Sequence, residues 1–108
     1  MKTLILSTAL ICAVTIANAN AAESNYNIIA ENGHFSPATL EIPAGQKVQL
    51  NVQNKDVVEV EFESYKLDRE EKIDSGESTQ VFVGPLDKGN YEFFDDNNPD
   101  AKGMLVVK

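Results

Sequence analysis

Cysteine is almost missing from this chain. The single copy, Cys12, lies inside an apolar run near the start, and Ile11 before it is not the small residue that a lipid-attachment cysteine follows. Residues 22–108 therefore carry no disulfide, no thiolate metal ligand and no cysteine nucleophile. Histidine and methionine are as scarce: His34 is the sole histidine, and after Met1 the only methionine is Met104. With one histidine and no serine in a strand-to-helix elbow, nucleophilic catalysis finds no support. Paired acids for glycoside hydrolysis are available by number, but they need a substrate cleft that so small a chain hardly provides. Basic residues are few too. Nine Lys and Arg stand against seventeen Asp and Glu, a net charge of -8, which argues against nucleic acid or anionic lipid as partner because both need a basic surface. Such a balance suits cations, a basic protein surface, or simply the solubility of a secreted domain. No repeat, low-complexity tract, interior linker or helix of ordinary length is visible.

What is present begins with a leader. Lys2, the apolar run Leu4 to Ile16 and the small residues after it read as a secretory signal peptide. Ala17-Asn18-Ala19 and Ala19-Asn20-Ala21 both satisfy the small-x-small rule, so cleavage is expected after Ala19 or Ala21. That gives a signal peptide over 1–21 and one domain over 22–108, with no membrane anchor after cleavage. An uncleaved anchor is the weaker alternative, since the run is short of the ~20 residues a spanning helix needs. Without disulfides, the domain must be held by its core.

From Asn25 onward, short β-like runs alternate with turn signals, the spacing of an all-β sandwich. Tyr26, Ile28 and Ala30 share one face of the first run, and Asn32-Gly33 is a turn dipeptide. A short strand is expected between Pro37 and the turn Pro43-Ala44-Gly45. Val48, Leu50 and Val52 face inward from Gln46 to Gln53; Val58, Val60 and Phe62 are expected to do so from Val57 to Glu63, leaving Glu59, Glu61 and Glu63 outside. Ser64 to Lys72 reads as loop, with a short strand around Lys72 and Ile73. Ser78 to Val83 is a strand. Last comes a hairpin: a strand with aromatics at alternate positions, Tyr91 and Phe93, a short polar loop, and an apolar strand with Gly103 at its mouth.

In order along the chain stand Phe35-x-Pro37, Pro43-Ala44-Gly45, Asn54-Lys55-Asp56, Glu61-Phe62-Glu63-Ser64, Leu67-Asp68-Arg69-Glu70, Gly84-Pro85-Leu86, Lys88-Gly89-x-Tyr91-x-Phe93-Phe94, Pro99-Asp100 and Lys102-Gly103. Together they resemble the cupredoxin-like domain of small periplasmic proteins and of EfeO-type components of bacterial iron uptake. The resemblance implies a Greek-key β-sandwich of about seven to eight strands, periplasmic location, and a part in receiving, oxidising or passing on iron or copper. It also implies an inner-membrane iron permease or a periplasmic iron-binding protein as partner. In cupredoxins the Tyr-x-Phe strand delivers a cysteine, then a histidine, then a methionine to copper. Here Asp95 stands at the cysteine position and Asn98 at the histidine position, the methionine has no clear counterpart, and no histidine lies near Val60. Type 1 copper is not expected.

Oxygen donors remain. Side chains two apart on a strand stand ~6.5 to 7 Å apart on one face, so Glu59, Glu61 and Glu63 repel one another unless a cation or a basic side chain lies between them. Hard cations such as Fe(III), Ca(II) or Mn(II) favour such ligands. The plain alternative is a solvated strand face balanced by Lys47, Lys66, Arg69 or Lys72. Asp95, Asp96 and Asp100 form a second acidic group that can wrap a cation or simply make turns; its spacing is not that of an EF-hand. His34 reads as a surface residue and Met104 as core packing. The expected metal ligands are Glu61, Glu63, Asp95 and Asp96, for an iron or copper ion. The competing expectation is a metal-free sandwich whose acidic face meets a basic protein partner.

Overall fold

Alternation of apolar and polar residues governs the chain that the structure, a computed structural model, describes: residues 24–108. The expected signal peptide and its cleavage sites lie outside those residues. Nine strands form: β1 (Ser24–Glu31), β2 (His34–Ser36), β3 (Thr39–Ile42), β4 (Val48–Asn54), β5 (Val60–Ser64), β6 (Arg69–Ile73), β7 (Ser78–Val83), β8 (Gly89–Asp95) and β9 (Asn98–Val107). They make a four-stranded sheet in the order β2-β1-β4-β7 and a five-stranded sheet in the order β3-β9-β8-β5-β6. Pairing of β1 with β4 and of β3 with β9 is parallel, the remainder antiparallel. The all-β sandwich expected from the turn spacing is what forms. Its extra strand is β2, three residues that the Asn32-Gly33 turn folds back onto β1. Both turn residues have positive φ, 55° and 73°, as a two-residue hairpin turn demands.

The inner faces close over one core. Ile28 and Ala30 of β1, Val48, Leu50 and Val52 of β4, and Val81 and Val83 of β7 meet Val60 and Phe62 of β5, Phe93 of β8, and Leu105 and Val107 of β9. At its centre Phe35, Phe62 and Phe93 pack ring on ring, with centroids 5.1 to 6.2 Å apart. Gly103 makes room for this. It is not at the mouth of β9 but within it, directly opposite Phe93, where a Cβ would lie 2.1 Å from the ring.

One end of the sandwich is tied by the buried Asn54. Its amide donates to the carbonyls of Val58 and Ile73 at 2.8 and 2.9 Å and accepts from the Asp56 N–H at 2.8 Å, so the β4–β5 connection is pinned to the end of β6. A group that is buried yet fully hydrogen-bonded fixes geometry at little net cost. Asp56 in turn accepts from the backbone N–H groups of Asn32 and Gly33. This arrangement overturns the expected inward Val58. Strand pairing starts at Val60, and Val57 and Val58 lie on the pinned connection, 91% and 62% exposed.

Candidate metal centre

Strand β5 sits between β8 and β6, so its outward side chains have neighbours on both flanks. Val60, Phe62 and Ser64 point into the core; Glu61 and Glu63 point out. Across β6, Glu63 lies opposite Glu70 and Glu61 opposite Lys72. On the other flank the chain leaves β8 at a register shift after Phe94 and turns through Asp96 and Asn97 into β9. That turn is drawn over β5 because the Asp96 N–H donates to the Glu61 carbonyl at 2.9 Å. The outcome is that carboxylate oxygens of Glu61, Glu63 and Asp96 lie within 4.8 Å of one another.

Three of the four expected ligands thus come together. The fourth, Asp95, is buried on the other side of the turn, where one oxygen, Oδ1, accepts from the N–H of Glu61 at 2.9 Å and of Asn97 at 3.0 Å. It braces the turn that carries Asp96. Asp100 is exposed within β9 and stands apart from the group. Glu59 precedes β5; its carbonyl and its carboxylate receive the Asn97 amide at 3.3 and 3.4 Å. Neither His34, exposed on β2, nor Met104, half-buried opposite Glu92, belongs to the group.

The expected fully outward stripe is corrected on one point. Glu61 is only 8% exposed. Its carboxyl is held above the ordinary value of 4.5, first by a hydrogen bond shared with Glu70, then by burial and by the charges of Glu70 and Asp96, with Lys72 opposing. Burial, the charges of Asp96 and Glu70, and a hydrogen bond shared with Asp96 raise Glu63 likewise. Glu70, opposite Glu63 on β6, is an acidic neighbour of the group that the sequence reading missed. No apolar period in Arg69 to Ile73 announces it; only the hairpin pairing of β6 with β5 puts Glu70 beside Glu63.

Three of the four basic residues expected to balance this face are engaged elsewhere. Arg69 donates to the carbonyls of Phe82, Leu67 and Asp68 at 3.0 to 3.3 Å. Lys47 lies over the Phe82 ring at 5.3 Å, and Lys66 donates to the Asn90 carbonyl at 2.8 Å. Lys72 faces Glu61 without closing an ion pair; among the described residues the one ion pair is Lys108 with Glu41. Of the four basic residues, Lys72 alone stands across from the group, and its charge draws the pKa of the Glu61 carboxyl downward. The donor set does not fit a blue-copper ion, which needs thiolate and imidazole: the gathered atoms are all carboxylate oxygens. Such a group favours a hard cation.

Similarity to known proteins agrees with this frame. The chain is 36% identical over 81 residues to an uncharacterized protein of Rickettsia prowazekii (strain Madrid E), covering 74% of this chain and 65% of that one. Its fold is similar to the metal-binding domain of the Cu(I)-exporting ATPase CopA of Streptococcus pneumoniae (TM-score 0.69, 20% identity, 78% of this chain and 84% of that). It is also similar to a purple cupredoxin from Nitrosopumilus maritimus (0.59, 21%, 77% and 99%). A third such structure is amicyanin from Paracoccus versutus (0.62, 18%, 81% and 83%). The model of the cupredoxin-like domain matches residues 3–107, and with a sandwich of this topology the chain belongs to the cupredoxin-like domain family.

Proposed function

We propose that this protein is an exported, periplasmic metal-handling domain that has exchanged the copper ligands of its frame for oxygen donors and takes up a hard cation, iron foremost, for delivery to a permease or an iron-binding partner. One observation carries the reading: Glu61, Glu63 and Asp96 converge to within 4.8 Å and, among the described residues, no basic side chain is ion-paired to them. Like charges so placed repel, and a cation between them reverses the sign of that interaction. The leader-like start of the chain supports export. Copper is the rival cargo, since the similar CopA domain is a Cu(I) structure. Soft Cu(I), however, prefers sulfur ligands. Calorimetric titration with Fe(III) citrate, Mn(II) and Cu(II) tests the reading. Binding of Fe(III) or Mn(II) that is lost in Glu61→Ala, Glu63→Ala supports it; equal binding by wild type and the double variant refutes it.

A second reading has its own observation. Val57 and Val58 are exposed at the end of the sandwich where Asn54 ties the loops, and exposed apolar residues beside acids suit docking to a basic protein surface. On that reading Val57→Ser, Val58→Ser abolishes association with the partner while cation binding is absent throughout.

A further inference from the structure

Charge is divided unequally between the two sheets. The outer face of the five-stranded sheet carries the acids described above, with Glu92 and Lys102 beside them. On the four-stranded sheet the outward side chains of β1, β4 and β7 stand in registered rows: Asn27, Asn51 and Gln80 across the middle, Gln49 and Phe82 to one side of them, Ile29 and Gln53 to the other. None of these is charged, in a chain where 24% of the residues are.

The middle of this face is already wired. Gln49 Nε2 donates to Asn51 Oδ1 at 2.7 Å, and Asn51 Nδ2 donates to Asn27 Oδ1 at 3.2 Å. Amides that hold one another in place lower the ordering cost of binding. The Gln49 carbonyl oxygen at one end of this relay is an acceptor, and the Asn27 N–H groups at the other are donors. Two troughs of about 580 and about 280 Å³ open along the face and share Asn51 and Ser78. Each sets one outward apolar side chain among the polar ones: Phe82, 40% exposed, in the first, and Ile29 in the second.

We propose that this face binds an uncharged oligosaccharide in extended form. A sugar ring presents hydroxyl groups at its rim, each both donor and acceptor, and C–H groups on its flat sides. The amide row answers the first, and Phe82 and Ile29 the second. Those two platforms stand two strands and four residues apart in the register, about 16 Å on sheet spacings, so several linked sugars reach both and a single one does not. The ligand is uncharged because the rows offer no counter-charge and the net charge of -8 repels a carboxylated chain. Lys47, whose ammonium group lies 5.3 Å from the Phe82 ring centroid, is exposed on a long stem and can swing from the ring to a hydroxyl. This site lies on the opposite sheet from the carboxylates and does not rest on the cation-binding function.

Calorimetric titration of the purified protein with cellohexaose and with N-acetylchitohexaose, and with hexagalacturonate as the charged counterpart, tests it in wild type, Phe82→Ala, Asn51→Ala and Tyr65→Ala. Tyr65→Ala removes a still more exposed ring, 76%, at the end of β5 in the other sheet. Wild type should bind at least one neutral hexasaccharide and not hexagalacturonate. Phe82→Ala should weaken binding about fivefold or more and Tyr65→Ala less than about twofold; Asn51→Ala, which cuts the amide relay at its centre, should weaken it about three- to tenfold. No binding of either neutral hexasaccharide overturns the proposal, as does hexagalacturonate binding equally well, or equal losses in Phe82→Ala and Tyr65→Ala. Sedimentation velocity supplies the remaining outcome: a wild-type dimer that Phe82→Ala disperses, with no sugar bound, makes the face an interface between two copies and overturns the proposal too.

Discussion

Asp95 separates a bracing role from a ligand role. Its Oδ1 accepts the backbone N–H of Glu61 on β5 and of Asn97 in the turn, at 2.9 and 3.0 Å, and the residue is 6% exposed. Asp95→Ala removes both acceptors at once. Hydrogen bonds to a charged group contribute about 1.5 to 3 kcal/mol each, and the Asn97 N–H is near enough to solvent to recover part of its loss. A total of about 3 kcal/mol is expected. Asp95→Asn keeps an oxygen in place but without charge, which roughly halves each bond, so about 1.5 kcal/mol should be lost. Urea unfolding followed by circular dichroism reads both. At a slope of about 1.5 kcal/mol per molar the midpoints should fall by about 2 M and 1 M. Cation titration on the same samples adds the functional arm: Asp95→Ala, whose turn no longer holds Asp96 over β5, should bind weakly, while Asp95→Asn should retain most of its affinity. If Asp95→Ala unfolds within about 0.5 kcal/mol of wild type, the bracing argument fails. If Asp95→Asn loses the cation as completely as Asp95→Ala, Asp95 is itself a ligand.

Other consequences follow from the same geometry. Gly103→Ala places a methyl group 2.1 Å from the Phe93 ring in a close-packed core, and should cost about 2 to 3 kcal/mol, read as a fall in thermal midpoint. For Glu61 and Glu63 the folded-state pKa lies above the ordinary 4.5. The folded protein therefore holds more protons than the unfolded chain at pH values just above 4.5. Their contribution to stability is present below that pH and is lost as pH rises through the raised values; urea midpoints of the cation-free protein should fall over that window, and saturating Mn(II) should cancel the fall. Cation affinity should rise over the same window as protons cease to compete. Lys72→Gln removes the ammonium group opposite Glu61 and should strengthen cation binding by about three- to tenfold, measured by calorimetry; unchanged affinity would show that Lys72 lies outside the field of the site.

Much of the frame could be read from the chain because alternation is strong where one face is fully buried. Val48, Leu50 and Val52 face the core as their spacing says, and Phe93 does so from the Tyr-x-Phe strand. Reading failed where a local pattern met a distant partner. Val58 continues the alternation of Val60 and Phe62, yet the Asn54 amide holds its carbonyl and takes it out of the sheet. Gly103 was placed at a strand mouth because its reason, the Phe93 ring across the β8–β9 ladder, is a tertiary contact. In the site, Glu61, Glu63 and Asp96 were legible as acids on suitable elements. Glu70 was not, since a charge-dense Asp68-Arg69-Glu70-Glu71-Lys72 run shows no apolar period until its hairpin pairing with β5 is known. The low exposure of Glu61 was equally hidden, because its alternation with Val60 and Phe62 marks it as outward.

That the carboxylate face is a cation seat is tested most directly by crystals of the protein grown with Tb(III), with diffraction recorded at the terbium edge. A single anomalous peak among the carboxylates of Glu61, Glu63 and Asp96 is the predicted result. A map with no peak on that face, or with its strongest peak at His34, would contradict it.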